Sequence, residues 1–206
     1  MPRNWKRLNR AESVAILEKL GDQRDALVFS MTTTDVTIRD LTFYSRYKLY
    51  RLVNYATLPV FSMMYLSDGK EFIQLDGTAG PIYTANEKDP IRMDETTIIP
   101  YLEFFFAQVE GSEGDVFLIK NPRKAPFMES LSEEQQNRVV DMFKPIEVSR
   151  RDDDTILTGT IYYGGGLIAA TIVVAPDGKM AFEAQSLLLN GIHFPPSPYG
   201  HMWLEG

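Results

Sequence analysis

Cysteine is absent from the 206 residues, and histidine occurs only twice, at His193 and His201. The first absence excludes a disulfide framework, a thiolate nucleophile, Cys-ligated zinc and an iron–sulfur cluster. The second confines any Ser–His triad or His-ligated metal to the end of the chain. No run approaches the roughly 18 apolar residues of a spanning helix. The opening MPRNWKRLNR is basic, but no apolar segment follows it, so a secretory leader is not expected. No Asn-x-Ser/Thr sequon, G-x-S-x-G, P-loop, H-E-x-x-H or kinase signature is present. Together these absences predict a soluble cytoplasmic protein without a membrane segment, a bound metal or a cofactor.

What is present is ordinary for a folded protein: 44% hydrophobic and 24% charged residues. A chain of this length buries roughly 70% of its unfolded surface and needs no metal or disulfide to hold it together. The expected organisation is one α+β domain over residues 1–206. A possible lobe boundary falls at 121–130, and an extended proline-containing tail runs over 191–206. Charge is uneven. Residues 1–51 carry 10 Lys/Arg against 6 Asp/Glu, while the remainder carries 11 against 22, giving the net −7. Phosphate neutralisation dominates nucleic-acid affinity, so an acidic chain makes nucleic acid the least favoured partner.

Periodicity and caps place the elements. Asn9 with Glu12 reads as a capping box before Val14, Leu17 and Leu20 at helical spacing, and Gly21 ends that helix. Residues 26–30 read as a short strand and 34–40 as a half-buried one, with Val36 and Ile38 opposite Asp35, Thr37 and Arg39. Asp68-Gly69 joins 60–66 to 70–75 as a hairpin. Residues 81–84 read as extended, and 86–95 as a polar loop containing Pro90. Residues 98–109 (IIPYLEFFFAQV) form a helix that Thr97 can cap, with Pro100 in its first turn. Its Tyr101, Phe104 and Phe105 make one apolar face, and Leu102, Phe106 and Val109 a second. Such a helix is either central to the core or lies against a partner. Residues 115–120 read as a strand, and Ser132 with Gln135 as a capping box opening a helix through Phe143. A meander follows near 146–150, 155–163, 167–175 and 179–189. The fold class is therefore α+β: a largely antiparallel, curved sheet with about three helices.

Candidate chemistry is sparse. Gly164-Gly165-Gly166-Leu167-Ile168-Ala169 matches a dinucleotide fingerprint, but strand-forming residues follow where a helix is required, so a glycine hairpin turn is the better reading. Ser45-x-x-Lys48 and Ser67-x-x-Lys70 lack the companion motifs of penicillin-recognising enzymes. Asp152-Asp153-Asp154 reads as a charged turn rather than a cation site. The stretch 43–55 interleaves Tyr44, Tyr47, Tyr50 and Tyr55 with Arg46, Lys48 and Arg51. Tyrosine with arginine is what a protein–protein hot spot uses, and equally what a curved sheet with snorkelling side chains shows.

Two functions follow as expectations. The first is a non-catalytic binding or interaction module that associates with itself or with a protein partner. Its candidate residues are Tyr44, Tyr47, Tyr50 and Arg51 of the aromatic stretch, or Tyr101, Phe104 and Phe105 of the apolar helix. The alternative is a small enzyme or ligand carrier with an aromatic-lined pocket on the concave face of the sheet. That protein would use carboxylates and tyrosines and would hold one carboxylate with a raised pKa.

Overall fold

The computed structural model describes residues 5–21, 28–56, 59–111 and 114–192. It is α+β, with two antiparallel sheets and four α-helices among those residues. The chain divides into two compact units, Met1–Asp76 with Gly80–Arg92, and Gly77–Ala79 with Met93–Gly206. Residues 121–130 lie inside the second unit, and the divisions between units fall near residues 76–80 and 92–93.

The first unit holds a sheet in the order β1 (Lys6–Arg7), β2 (Thr34–Asp40), β3 (Lys48–Asn54), β4 (Phe61–Ser67), β5 (Phe72–Gln74). Helix α1 (Arg10–Leu20) begins with the reciprocal Asn9–Glu12 capping box, and the Gly21 N–H donates to carbonyls of its last turn. Period-two alternation sets the sheet register. Val36 lies opposite Leu52, which lies opposite Met63, and Ile38, Tyr50 and Tyr65 form the next row. Leu17 and Leu20 of α1 join Val36, Tyr50, Leu52, Tyr65 and Phe72 in one buried cluster. Each large side chain so buried contributes about 1.5–3 kcal/mol. The β4–β5 connection is the expected hairpin. Asp68 Oδ1 accepts from the N–H groups of Lys70 and Glu71, and Gly69 takes φ +87°.

Two readings of this unit need correction. Val28 and Phe29 lie in a turn and a bend rather than a strand, and residues 26–27 lie outside the described residues. Ser30 Oγ accepts from the N–H groups of Thr32 and Thr33, which turns the chain, while Val28 offers its carbonyl to Asn54 Nδ2. Residues 81–84 are not extended but belong to helix α2 (Gly80–Lys88), which also takes in the start of the expected 86–95 loop. Pro81 sits in the first turn, where a missing N–H loses no intrahelical bond. Ile82, Ala85 and Asn86 at helical spacing are buried.

The second unit is built on a sheet in which β8 (Asp154–Tyr163), β9 (Gly166–Val174) and β10 (Met180–Leu189) run in sequence order. On its other side β8 pairs with β6 (Val116–Leu118) and β7 (Glu147–Arg151). The β8–β9 turn is Gly164-Gly165, both at positive φ (+53° and +90°) between the Tyr163–Gly166 pair, as a tight hairpin turn requires. A strand follows the glycines, so the dinucleotide fingerprint has no helix start to hold a phosphate. Asp152 takes φ +53° in the β7–β8 turn.

One sheet face carries Phe117, Tyr162 and Leu167 in adjacent register, packed with Phe127 and with Val139 of helix α4 (Glu133–Met142). The Phe117 and Tyr162 rings stack with centroids 4.7 Å apart. Ser132 and Gln135 cap α4 reciprocally. Helix α3 (Ile98–Gln108) is buried nearly all round and packs within this unit. Its Phe106 stacks on Phe182 at 6.2 Å, and the Tyr101 hydroxyl donates to the Gly178 carbonyl at 2.7 Å. Thr97 does not cap α3 through its side chain. Asp94 starts the helical bonding instead: its Oδ1 accepts from Thr96 N–H and Thr97 N–H, and Thr97 Oγ1 accepts from Asp94 N–H. Among the described residues no helix is long and apolar enough to cross a membrane.

Candidate functional site

The aromatic residues singled out from the sequence are interior. Tyr44 and Tyr47 lie in the loop before β3, and Tyr50 lies on it; all three are buried. The Tyr44 hydroxyl donates to Asn86 Oδ1 at 2.6 Å inside the unit. The buried Asp89 carboxylate accepts from the backbone N–H groups of Arg46 and Tyr47, at 2.7 and 3.0 Å, and fixes this loop. Burial raises the phenol pKa of Tyr47 and of Tyr50. Arg51 is half-buried on β3, and its carbonyl accepts from Thr37 Oγ1 at 3.5 Å. The other cations of the stretch are paired: Arg46 with Asp89, and Lys48 with Asp40 at 2.7 Å. Tyr101, Phe104 and Phe105 are buried as well. The apolar helix is thus the core element of the two alternatives, and all six of these aromatic side chains are buried. Tyr55 alone of the tyrosines in that stretch reaches the surface, at 64% exposure, beside exposed Val60 and Phe61 at the β3–β4 tip.

The open surface lies on β10. The first sheet ends in β1 and β5, of two and three residues, and β5 pairs with only Tyr65–Ser67 of β4. Strand β10 ends the second sheet, and ten residues long it pairs only with β9 among the described residues. Residues 183–187 are exposed on both faces, with Leu187 at 61%. Two register shifts, between Phe182 and Ala184 and between Leu187 and Leu189, leave 184–187 as the regular central stretch. No lysine, arginine or proline lies on this strand, and the two register shifts, which also discourage strand addition, flank 184–187 without interrupting it. Its one charge, Glu183, is held by Arg151 at 2.7 Å. That bond keeps the Glu183 carboxyl below its ordinary pKa.

Against β10 lies an open groove of about 410 Å³, lined by Tyr163, Ile168, Gln185, Leu187 and the backbone of Gly164–Gly166 and Gly191. Its floor follows from register, because Ile168 faces Leu187 across the β9–β10 pair and Ala170 faces Gln185. No carboxylate lines it. The carboxyl groups with a resolved shift, Asp68, Asp94, Asp177 and Glu183, are all lowered, each chiefly by a hydrogen bond to its charged form.

No group of three metal-ligating side chains occurs among the described residues, and His193 and His201 lie outside them with the proline-containing tail. The sequence places the β10 strand but not its position at the sheet edge, because strand order decides which strand becomes an edge, and periodicity carries no strand order. The usable signal was the lack of lysine and proline in 180–189. No family model matches this chain, nor does any curated protein or solved structure, so the β10 edge and its groove stand on their own residues.

Proposed function

We propose that this protein is a non-catalytic interaction module whose binding element is the outer edge of β10 with the groove beside it. The observation that carries this reading is a ten-residue sheet edge without a cationic or proline guard, in a chain whose other sheet ends in strands of two and three residues. An unpaired edge supplies a row of backbone donors and acceptors, and an extended segment added to it gains main-chain hydrogen bonds. Alternate side chains of that segment would drop into the groove over Ile168, Leu187 and Tyr163, which supplies selectivity. The apolar tip at Tyr55, Val60 and Phe61 adjoins only a short stretch of β4 beyond its pairing with β5, and so supports the reading less. The groove lining argues against the carboxylate enzyme: Tyr163, Gln185 and Asn190 can orient a ligand through hydrogen bonds, but no carboxylate is among the lining residues.

The test is a titration of a capped octapeptide of alternating threonine and valine into dilute, isotopically labelled protein, followed by amide chemical shifts. The expected result is saturable change confined to β10, β9 and the groove glycines. Saturable change centred on other elements, or none at millimolar peptide, overturns the assignment.

A further inference from the structure

We infer that the occupant of the β10 edge is the β10 edge of a second copy of this chain, paired antiparallel about a two-fold axis at Gln185. This inference rests on the interaction-module reading and names its partner. In a two-fold pair of antiparallel strands each residue meets one pointing to its own face of the sheet. Pairing with β9 sets those faces: Gln185 and Leu187 lie opposite Ala170 and Ile168 on one, Ala184 and Ser186 opposite Thr171 and Ala169 on the other.

An axis at Gln185 therefore sets that residue against itself and Ala184 against Ser186. A primary amide carries both donor and acceptor, so Gln185 complements its own copy. Ala184 and Ser186 are small enough for close approach. Glu183 falls nearest the copy's Leu187 rather than another carboxylate, and its charge is already offset by Arg151. No like charges meet in this register, which is the usual obstacle to a homotypic edge. The joined sheets cover Leu187, the most exposed large hydrophobic side chain among the described residues of the second unit.

The experiment is sedimentation velocity on the full chain, comparing wild type, Gln185→Lys, Gln185→Glu and an equimolar mixture of the two variants. Gln185 is exposed, so the fold should survive, and circular dichroism checks that. The expected result is a reversible wild-type dimer at micromolar concentration, with each variant weakened by about tenfold or more through like charges at the axis. The mixture should restore association as a heterodimer. A wild type that stays monomeric, or a dimer indifferent to both variants, overturns the second-copy assignment. In the monomeric case amide exchange separates the two levels. Fast exchange at the outward amides of 184–187 leaves an open edge for another protein, so only the homotypic partner fails. Slow exchange there means the chain covers its own edge, and the interaction-module reading fails with it.

Discussion

Asp89 is a carboxylate at 3% exposure whose Oδ2 accepts from two backbone N–H groups of the loop carrying Tyr44 and Tyr47. Truncating it leaves both donors without that acceptor. Asp89→Ala should lower unfolding stability by about 2–4 kcal/mol in urea denaturation, with a smaller loss for Asp89→Asn, which keeps one acceptor oxygen. Titration should lower stability on both sides of neutrality. The hydroxyl and N–H of Thr96 hold the Asp94 carboxyl below its usual pKa, and Arg151 does the same for Glu183. Their stabilisation is complete above the unfolded value of about 4 and is lost as pH falls through the lower folded value. The urea midpoint should drop in that window, less steeply in Asp94→Asn. Burial acts oppositely on Tyr50 and Tyr162, raising both phenols. Their contribution is present below about pH 10 and is lost as pH rises through the folded pKa, so phenolate absorbance from these two should appear together with unfolding.

Helix α3 shows what periodicity conveys and what it omits. Its bounds were legible, and so was its apolar character on nearly every side. Which of the two consequences holds, interior helix or partner surface, depends on how many elements cover it, and no spacing along one segment encodes that number. Once α3 is known to be interior, substitutions within it bear on stability. Phe104→Ala should cost about 3–5 kcal/mol, and Tyr101→Phe about 1–1.5 kcal/mol through loss of the bond to the Gly178 carbonyl. Thermal denaturation checks both. Helices α1 and α4 and strands β7 to β10 were the most legible elements, because capping boxes, alternation and a Gly-Gly turn are local devices. Helix α2 was misread for a local reason: Gly80-Pro81 looks like a turn unless the burial of Ile82 and Ala85 at helical spacing is given weight.

Across the whole molecule, the candidate site belongs to topology rather than to composition. The residues that looked most like a surface, Tyr44, Tyr47, Tyr50 and the α3 aromatics, fill interiors, whereas the plain 183–187 stretch (EAQSL) stands open on both faces. Composition could not show this, because tyrosine suits a core and an interface equally. Strand order makes β10 an edge, and it follows from long-range pairing among β8, β9 and β10.

The most direct measurement of an associating β10 edge is amide hydrogen exchange on the untagged chain at nanomolar and at high micromolar concentration. An associating edge should show rapid exchange of the outward amides of 184–187 in the dilute chain and marked slowing in the concentrated one, while β1 and β5 stay unchanged. Identical rates at the two concentrations, whether fast or slow, would contradict self-association at this edge, and protection that persists on dilution would remove the open edge altogether.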